Sequence, residues 1–258
     1  MGRKLLGSRA VPLLVGIGLV LAAAGDARAQ TASLAAQVRR LLDASEEPRN
    51  VDRAIRLLEA ARSGGESAEV EALLGAAYYA RGHDLDDRDQ AERTLDAAIH
   101  HADRALALAP GHVEARYWRA MAMLAKAGKL RGAESFGLVR AAVRELEAVS
   151  AADPTLDGAG PDRAMGKVYL DSPWWFMGDT DKAIEHLEAA RKRAPDSLQN
   201  RRFLAEAYAE DGREADALRE LDGILNATPR PDRAAPDQKE KEKARRMADR
   251  IRARLRKP

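Results

Sequence analysis

Cysteine is absent from the 258 residues. That excludes disulfides, cysteine-ligated metals, a cysteine nucleophile and a lipid-modified cysteine. Aromatic residues are scarce, at 4%. With Ala, Leu, Arg, Glu and Asp dominant, such a composition favours helices and disfavours a β-rich fold. Walker, G-x-S-x-G and H-E-x-x-H sequences are missing. The five histidines, His83, His100, His101, His112 and His186, do not form a metal-binding spacing. His100 and His101 are neighbours and would project about 100° apart on a helix. The acidic run Asp84, Asp86, Asp87, Asp89 has the density of a calcium loop but not its pattern. Asp89 stands where such a loop needs Gly, and Leu95 where it needs Glu. It reads as an acidic loop capping the following helix. With no nucleophile–base pair, metal set or cofactor motif, neither an enzyme nor a cofactor is expected.

Long apolar runs are also lacking, with one exception at the start. Arg3, Lys4 and Arg9 precede an apolar stretch over 11–24, and Ala27-Arg28-Ala29 follows. This is the layout of a secretory signal peptide over 1–29, with Gln30 as the mature N-terminus. The apolar stretch is short for a bilayer span. The expectation is an exported, periplasmic protein. Without those residues the chain carries 39 basic and 40 acidic side chains, but the stretch from Asp237 onward holds ten basic and four acidic ones. The tail is basic on a mildly acidic body.

What is present is a repeat. Leu204-Ala205, Tyr208, Ala217, Leu221, Ile224 and Pro229 form one spaced set; Met165-Gly166, Tyr169, Ala183, Leu187, Ala190 and Pro195 form another. The two prolines are 34 residues apart. The pattern has a physical cause. Two antiparallel helices touch where small residues (Gly166 on Ala183, Ala205 on Ala217) let the backbones approach. The prolines cannot continue a helix and turn the chain. One such pair cannot bury its own apolar face and must stack on neighbours. Period and residue types resemble the tetratricopeptide repeat (TPR), which implies an all-α solenoid of antiparallel helix pairs. The solenoid is expected over 30–229. It comprises a degenerate repeat over 33–64, with helices over 33–45 and 51–62 and Asn50 as the second helix's N-cap, then repeats over about 68–110, 113–154, 159–195 and 198–229. A linker and a basic capping helix fill 230–258, the helix carrying the stripe Ala244, Met247, Ala248, Ile251, Leu255.

Several repeats are over-long. The small residue of the first helix and that of the second are 12 apart in the last repeat (Ala205 to Ala217), but 23, 22 and 17 apart in the three before it. Insertions at one place in a solenoid map to one edge, so a wall is expected, tall near the N-terminus and falling towards the C-terminus. The third insertion holds Trp174, Trp175 and Phe176, followed by Gly178 and three candidate helix caps, Asp179, Thr180 and Asp181. Two readings of these aromatics stand open: stacking on a ligand, or plugging the end of the helix pair.

The stretch Met165-Gly-Lys-Val-Tyr169, Pro173-Trp174, Gly178-Asp179, Ala183-Ile-Glu-His186-Leu187 and Ala194-Pro195 resembles the TatT family of exported TPR proteins associated with tripartite, ATP-independent periplasmic (TRAP) transporters. The resemblance implies non-standard repeats and association with a periplasmic solute-binding protein. Family examples are often lipoproteins, a pattern this cysteine-free chain departs from. The carboxylate clamp of chaperone-binding TPR domains is not matched: Phe203 stands where the clamp has Asn.

The expected function is a non-enzymatic periplasmic scaffold docking a protein partner. Its groove is lined by the first helices of the repeats: Glu114, Tyr117 and Met121; Arg163, Lys167 and Leu170; Arg202 and Glu206. The alternative is a small-molecule carrier with a pocket between the wall and Trp174-Trp175. Nucleic acid is not an expected partner.

Overall fold

The computed structural model describes residues 30–45, 47–130 and 132–256. The leader expected over 1–29 lies outside the described residues. Among them every regular element is helical. In order these are α1 (30–43), α2 (Pro48–Arg62), α3 (Ala68–His83), α4 (Arg88–Leu108), α5 (Val113–Lys129), α6 (Ala133–Ala152), α7 (Leu156–Asp171), α8 (Thr180–Arg193), α9 (Leu198–Glu210) and α10 (Glu214–Asn226). A 3-10 turn, Pro231–Arg233, then leads into α11 (Ala234–Leu255). Successive helices pack as antiparallel pairs. First helices also touch one another, α3 with α5, α5 with α7, α7 with α9 and α9 with α11, so they line the inner side of the curve.

Helix ends follow local chemistry. Asp87 accepts from the Gln90 amide at 2.7 Å and caps α4, the role expected of the acidic loop. Of the three candidates for α8, Asp179 is the cap, accepting from the Lys182 amide at 3.0 Å. Asn50 is not the N-cap of α2. That helix opens at Pro48, whose fixed φ suits the first turn. The Asn50 side-chain amide donates to the Ala44 carbonyl at 2.9 Å instead, closing the end of α1.

The insertions are spent in two ways. In the first two long repeats they lengthen helices: α3 has 16 residues and α4 has 21, α5 has 17 and α6 has 20, against 13 each for α9 and α10. The expected one-sided wall is there, falling towards the C-terminus. The third insertion is instead a tight turn between α7 and α8. The Phe176 and Gly178 amides both donate to the Pro173 carbonyl at 2.9 Å. Any side chain at 178 would run into the Ser172 carbonyl and approach the Pro173 carbonyl carbon to 2.8 Å.

Within each of the four pairs from α3 to α10 one polar contact recurs at a fixed place, four residues before the small residue of the first helix and three after that of the second. In the α3–α4 pair it joins Glu71 to His101 (2.7 Å), with Tyr78 stacked on the imidazole at 5.2 Å. In the α7–α8 pair it joins Asp162 to His186 (3.0 Å), with Tyr169 stacked at 5.6 Å. The α5–α6 and α9–α10 pairs reverse the polarity, with Arg116–Glu145 and Arg201–Glu220 both at 3.1 Å. Acid–histidine and arginine–glutamate junctions thus alternate along the solenoid. The Glu71 side chain is fully buried, and Arg62 (3.0 Å) and Arg104 (3.1 Å) also reach it. Burial by itself would raise its carboxyl pKa, but His101, Arg104 and Arg62 together outweigh that and lower it below the usual glutamate value.

The capping helix buries Ala244, Ala248 and Ile251 against Leu204, Leu221 and Ile224. Leu255, expected on that stripe, is 58% exposed, since it lies past the last turn that reaches the core.

Candidate partner-binding groove

Each first helix presents one stripe to the inner side, with members three or four residues apart. On α5 these are Tyr117, Trp118, Met121 and Leu124; on α7, Arg163, Lys167 and Asp171; on α9, Arg202, Phe203 and Glu206. The α5 and α7 stripes and Phe203, together with α3, α6 and the turn before α8, line an open chamber of about 710 Å³; Arg202 and Glu206 lie outside it. All three phenylalanines of the chain, Phe136, Phe176 and Phe203, line it, with Tyr79, Tyr117 and Trp118. A protein so poor in aromatics has placed more than half of them around one space. Phe136 and Phe176 pack at 4.6 Å between centroids, and Arg140 lies over the Phe176 ring at 5.0 Å.

The floor is a left-handed turn at the start of α7. Asp157, Gly158 and Ala159 have φ of 51°, 61° and 63°. Only Gly adopts that region readily; an L-residue there costs about 1–2 kcal/mol, so two of the three positions are strained. Side chains from three helices hold the turn. Tyr117 donates to the Asp157 carboxylate at 2.6 Å. Arg163 donates to the same carboxylate at 2.5 Å and to the Asp157 and Gly158 carbonyls at 3.0 and 3.2 Å. Asn200, on α9, donates to the Gly158 carbonyl at 3.0 Å and the Ala190 carbonyl at 3.1 Å, and accepts from Arg163 at 3.2 Å. Burial first, and the Asp157 charge second, push the Tyr117 hydroxyl well above its ordinary pKa; Tyr79 is raised by the same two causes. Both stay neutral through any physiological pH. Lys167 bridges Asp171 (2.9 Å) and Glu206 (3.2 Å) and lies 5.0 Å from the Phe203 centroid. The chamber is therefore aromatic, with a rim whose charges largely offset one another.

Two further hollows adjoin it, of about 760 and 440 Å³; all three meet at Ser45, His83 and Asp157. The two smaller hollows also share Asp43 and Arg233, because the solenoid curls back on itself: Arg233, just before α11, lies 3.6 Å from Asp43, at the end of α1. A fourth hollow, of about 570 Å³, lies between α9 and α11.

The expected site residues fall into three groups. Tyr117, Met121, Arg163 and Lys167 line the chamber. Glu114 borders the smallest hollow, paired with Arg39 at 2.7 Å, while Arg202 and Glu206 line the hollow beside α11. Leu170 faces away: it packs against the core of α8 to α11, because it lies three residues beyond Lys167 and one before Asp171, on the flank of α7. Trp174 and Trp175 are 87% and 59% exposed and do not line the chamber. Trp175 packs on Phe136 of α6 at 5.2 Å, as Phe176 does at 4.6 Å, so the turn leans on the preceding helix pair, and Trp174 stands in solvent. Sequence reasoning missed Tyr79, Trp118, Phe136, Phe203, Asp157 and Asn200. The scarcity of phenylalanine was the available signal for two of them. Among the described residues no group of three or more His, Asp or Glu could hold a metal ion. None of the helices formed by the described residues is long and apolar enough to cross a membrane.

A family model described as tetratricopeptide repeat matches residues 177–236. A comparison with curated proteins found no match. Among solved structures, a thermophilic TPR protein of Thermus thermophilus aligns with a TM-score of 0.57 at 18% identity, over 83% of this chain and 98% of that one. MamA from Desulfovibrio magneticus RS-1 aligns with a TM-score of 0.48 at 19% identity, over 74% and 93%. Helix pairing, the family match and the first of these structures agree: the fold is a tetratricopeptide-repeat solenoid, a stack of helix pairs closed by a capping helix.

Proposed function

We propose that this chain is a non-enzymatic scaffold that docks a protein partner in its concave groove. The observation that carries the reading is the convergence of six aromatic residues, five of them partly exposed, from four helices and one turn, on one chamber beside Lys167. Clustered aromatic anchors are what concentrate binding energy in protein interfaces. The leader-like residues 1–29 support export to the periplasm. The TatT-like stretch over 165–195 supports a solute-binding component of a TRAP-type transporter as the partner. The test is capture of partners from a periplasmic extract of the source organism, followed by mass spectrometry. The native chain should retain a solute-binding protein, and Lys167→Glu combined with Phe203→Ala should retain at least about tenfold less of it, a loss of about 1.4 kcal/mol. Equal capture by both proteins would overturn the groove; envelope-assembly proteins in place of a solute-binding protein would overturn the transporter link. Tyr117 is unsuited to this test, because it is fully buried and its truncation would damage the fold.

A second reading has its own observation in its favour. The chamber's volume and aromatic lining also suit a small apolar ligand, which would make the chain a carrier. Trp118 lies in the chamber and Trp174 does not. A bound ligand should therefore shift tryptophan emission in the native chain and in Trp174→Ala, but not in Trp118→Phe. An unchanged spectrum across a panel of apolar ligands sinks the carrier reading.

A further inference from the structure

The hollow between α9 and α11 is separate from the aromatic chamber and differs from it in charge. Five cationic side chains line it, Arg202, Lys243, Arg246, Arg250 and Arg254, against two carboxylates, Glu206 and Glu210. Most of these charges are already satisfied. Arg202 pairs with Glu240 and Lys243 pairs with the same carboxylate at 2.9 Å. Arg254 pairs with Glu214 at 3.0 Å. Glu206 is held by Lys167 at 3.2 Å and Arg202 at 3.8 Å. Arg246 and Arg250 have no ion-pair partner among the described residues. They stand one turn apart on α11, so their guanidinium groups face the hollow side by side. Of the four acids of α11, Asp237 and Glu240 are buried, Asp237 onto Arg230 at 2.6 Å, while the exposed Glu242 and Asp249 do not line the hollow, so Glu210 is the one lining carboxylate without an ion pair beside the two arginines. Beneath the charges lies an apolar floor of Ala209, Met247 and Ile251.

We propose that this groove takes an acidic segment of a partner protein, with apolar side chains seated on Met247 and carboxylates paired to Arg246 and Arg250. Guanidinium groups bind carboxylates through two parallel hydrogen bonds, which gives direction as well as charge. Met suits a floor that must adapt to different apolar anchors. A protein segment fits better than a bilayer because the cations flank a small apolar floor between two helices of the inner row, a pattern that one strip of alternating acidic and apolar side chains can match. The inference rests on the protein-docking reading but uses a different surface. It gives a partner two points of attachment, an aromatic one in the chamber and an acidic one beside α11.

The test uses the purified chain and a short fluorescein-labelled peptide of alternating Glu and Leu, followed by anisotropy at low salt. The native chain should bind this peptide and not its Lys–Leu counterpart, and binding should weaken as salt is raised. Arg246→Glu with Arg250→Glu should weaken it at least about tenfold, and the double variant should gain binding to the Lys–Leu peptide. Both side chains are exposed, so circular dichroism of the variant should match the native chain. Equal binding by native and variant chains, or none by either, overturns the proposal. So does binding to phosphatidylserine vesicles that depends on the two arginines while the peptide stays free. The double variant leaves the chamber intact, so its failure and the failure of the Lys167–Phe203 variant are separate results.

Discussion

At the scale of single residues, the buried Glu71 carries the clearest consequence. Three basic side chains surround it, and its carboxyl is more acidic folded than unfolded. A group of that kind adds stability above its ordinary pKa of 4.5 and loses it as pH falls through the lower folded value. The melting temperature of the native chain should therefore drop as pH is lowered from about 5. Glu71→Gln should start lower and fall less over the same range. Glu71→Ala, which leaves His101, Arg62 and Arg104 facing an empty space, should cost about 3 kcal/mol in urea unfolding at neutral pH. A value under about 0.5 kcal/mol would mean that the arginines simply swing into water. The alternating junctions along the solenoid were legible in part. His101 and His186 stand at equivalent places in their repeats, but their carboxylate partners lie on the other helix, 30 and 24 residues back.

At the scale of elements, α11 shows how a repeat array ends. A solenoid's last pair has an apolar face with no following repeat. Ala244, Ala248 and Ile251 cover it, and the rest of the helix is charged. Ile251→Ala should cost about 2–4 kcal/mol by the cavity it leaves. Because repeat arrays fray from their ends, hydrogen exchange should speed up first in α9 to α11, while α3 and α4 stay protected. Uniform acceleration across all helices would show instead that the array unfolds as one unit. Element-level reading succeeded where the signal was local: the helix pairs, the taper of the insertions and the apolar stripe of α11 all follow from spacing within tens of residues. It failed at Asn50, where Pro48 offered a better helix start than an amide cap. It offered no reading of the entry to α7, because three left-handed residues in a row are held by Tyr117, Arg163 and Asn200 from three helices rather than by the local sequence.

At the scale of the molecule, the curl brings α1 and the start of α11 together through Arg233 and Asp43. Both side chains are over a third exposed, so the pair contributes about 0–1 kcal/mol. It biases the closed form without locking it. Arg233→Ala should leave the melting temperature within a few degrees of native, yet enlarge the radius of gyration in small-angle scattering at low salt. Raising salt to about 1 M, where screening reaches about 3 Å, should enlarge the native chain by the same means and leave the variant unchanged. Identical scattering for the two proteins at every salt concentration would place the closure in the stacking of the repeats alone. Asp43 and Arg233 line both of the smaller hollows beside the chamber, so those two depend on this closure, while the chamber itself is lined by neither.

The sequence by itself determined the helical class, the antiparallel pairing, the order of long and short repeats and the stripe that caps the array. These are consequences of periodicity, of small residues at helix contacts and of prolines at helix ends, all written over distances shorter than one repeat. Tertiary structure alone decided which side chains share the chamber, why Leu170 turns to the core while Phe203 and Phe136 turn to the groove, and how closely the two ends approach. Each of those depends on small rotations between neighbouring repeats that add along the stack. An error of a few degrees per repeat is invisible in residue spacing, yet it decides whether α1 meets α11 and what lies between them.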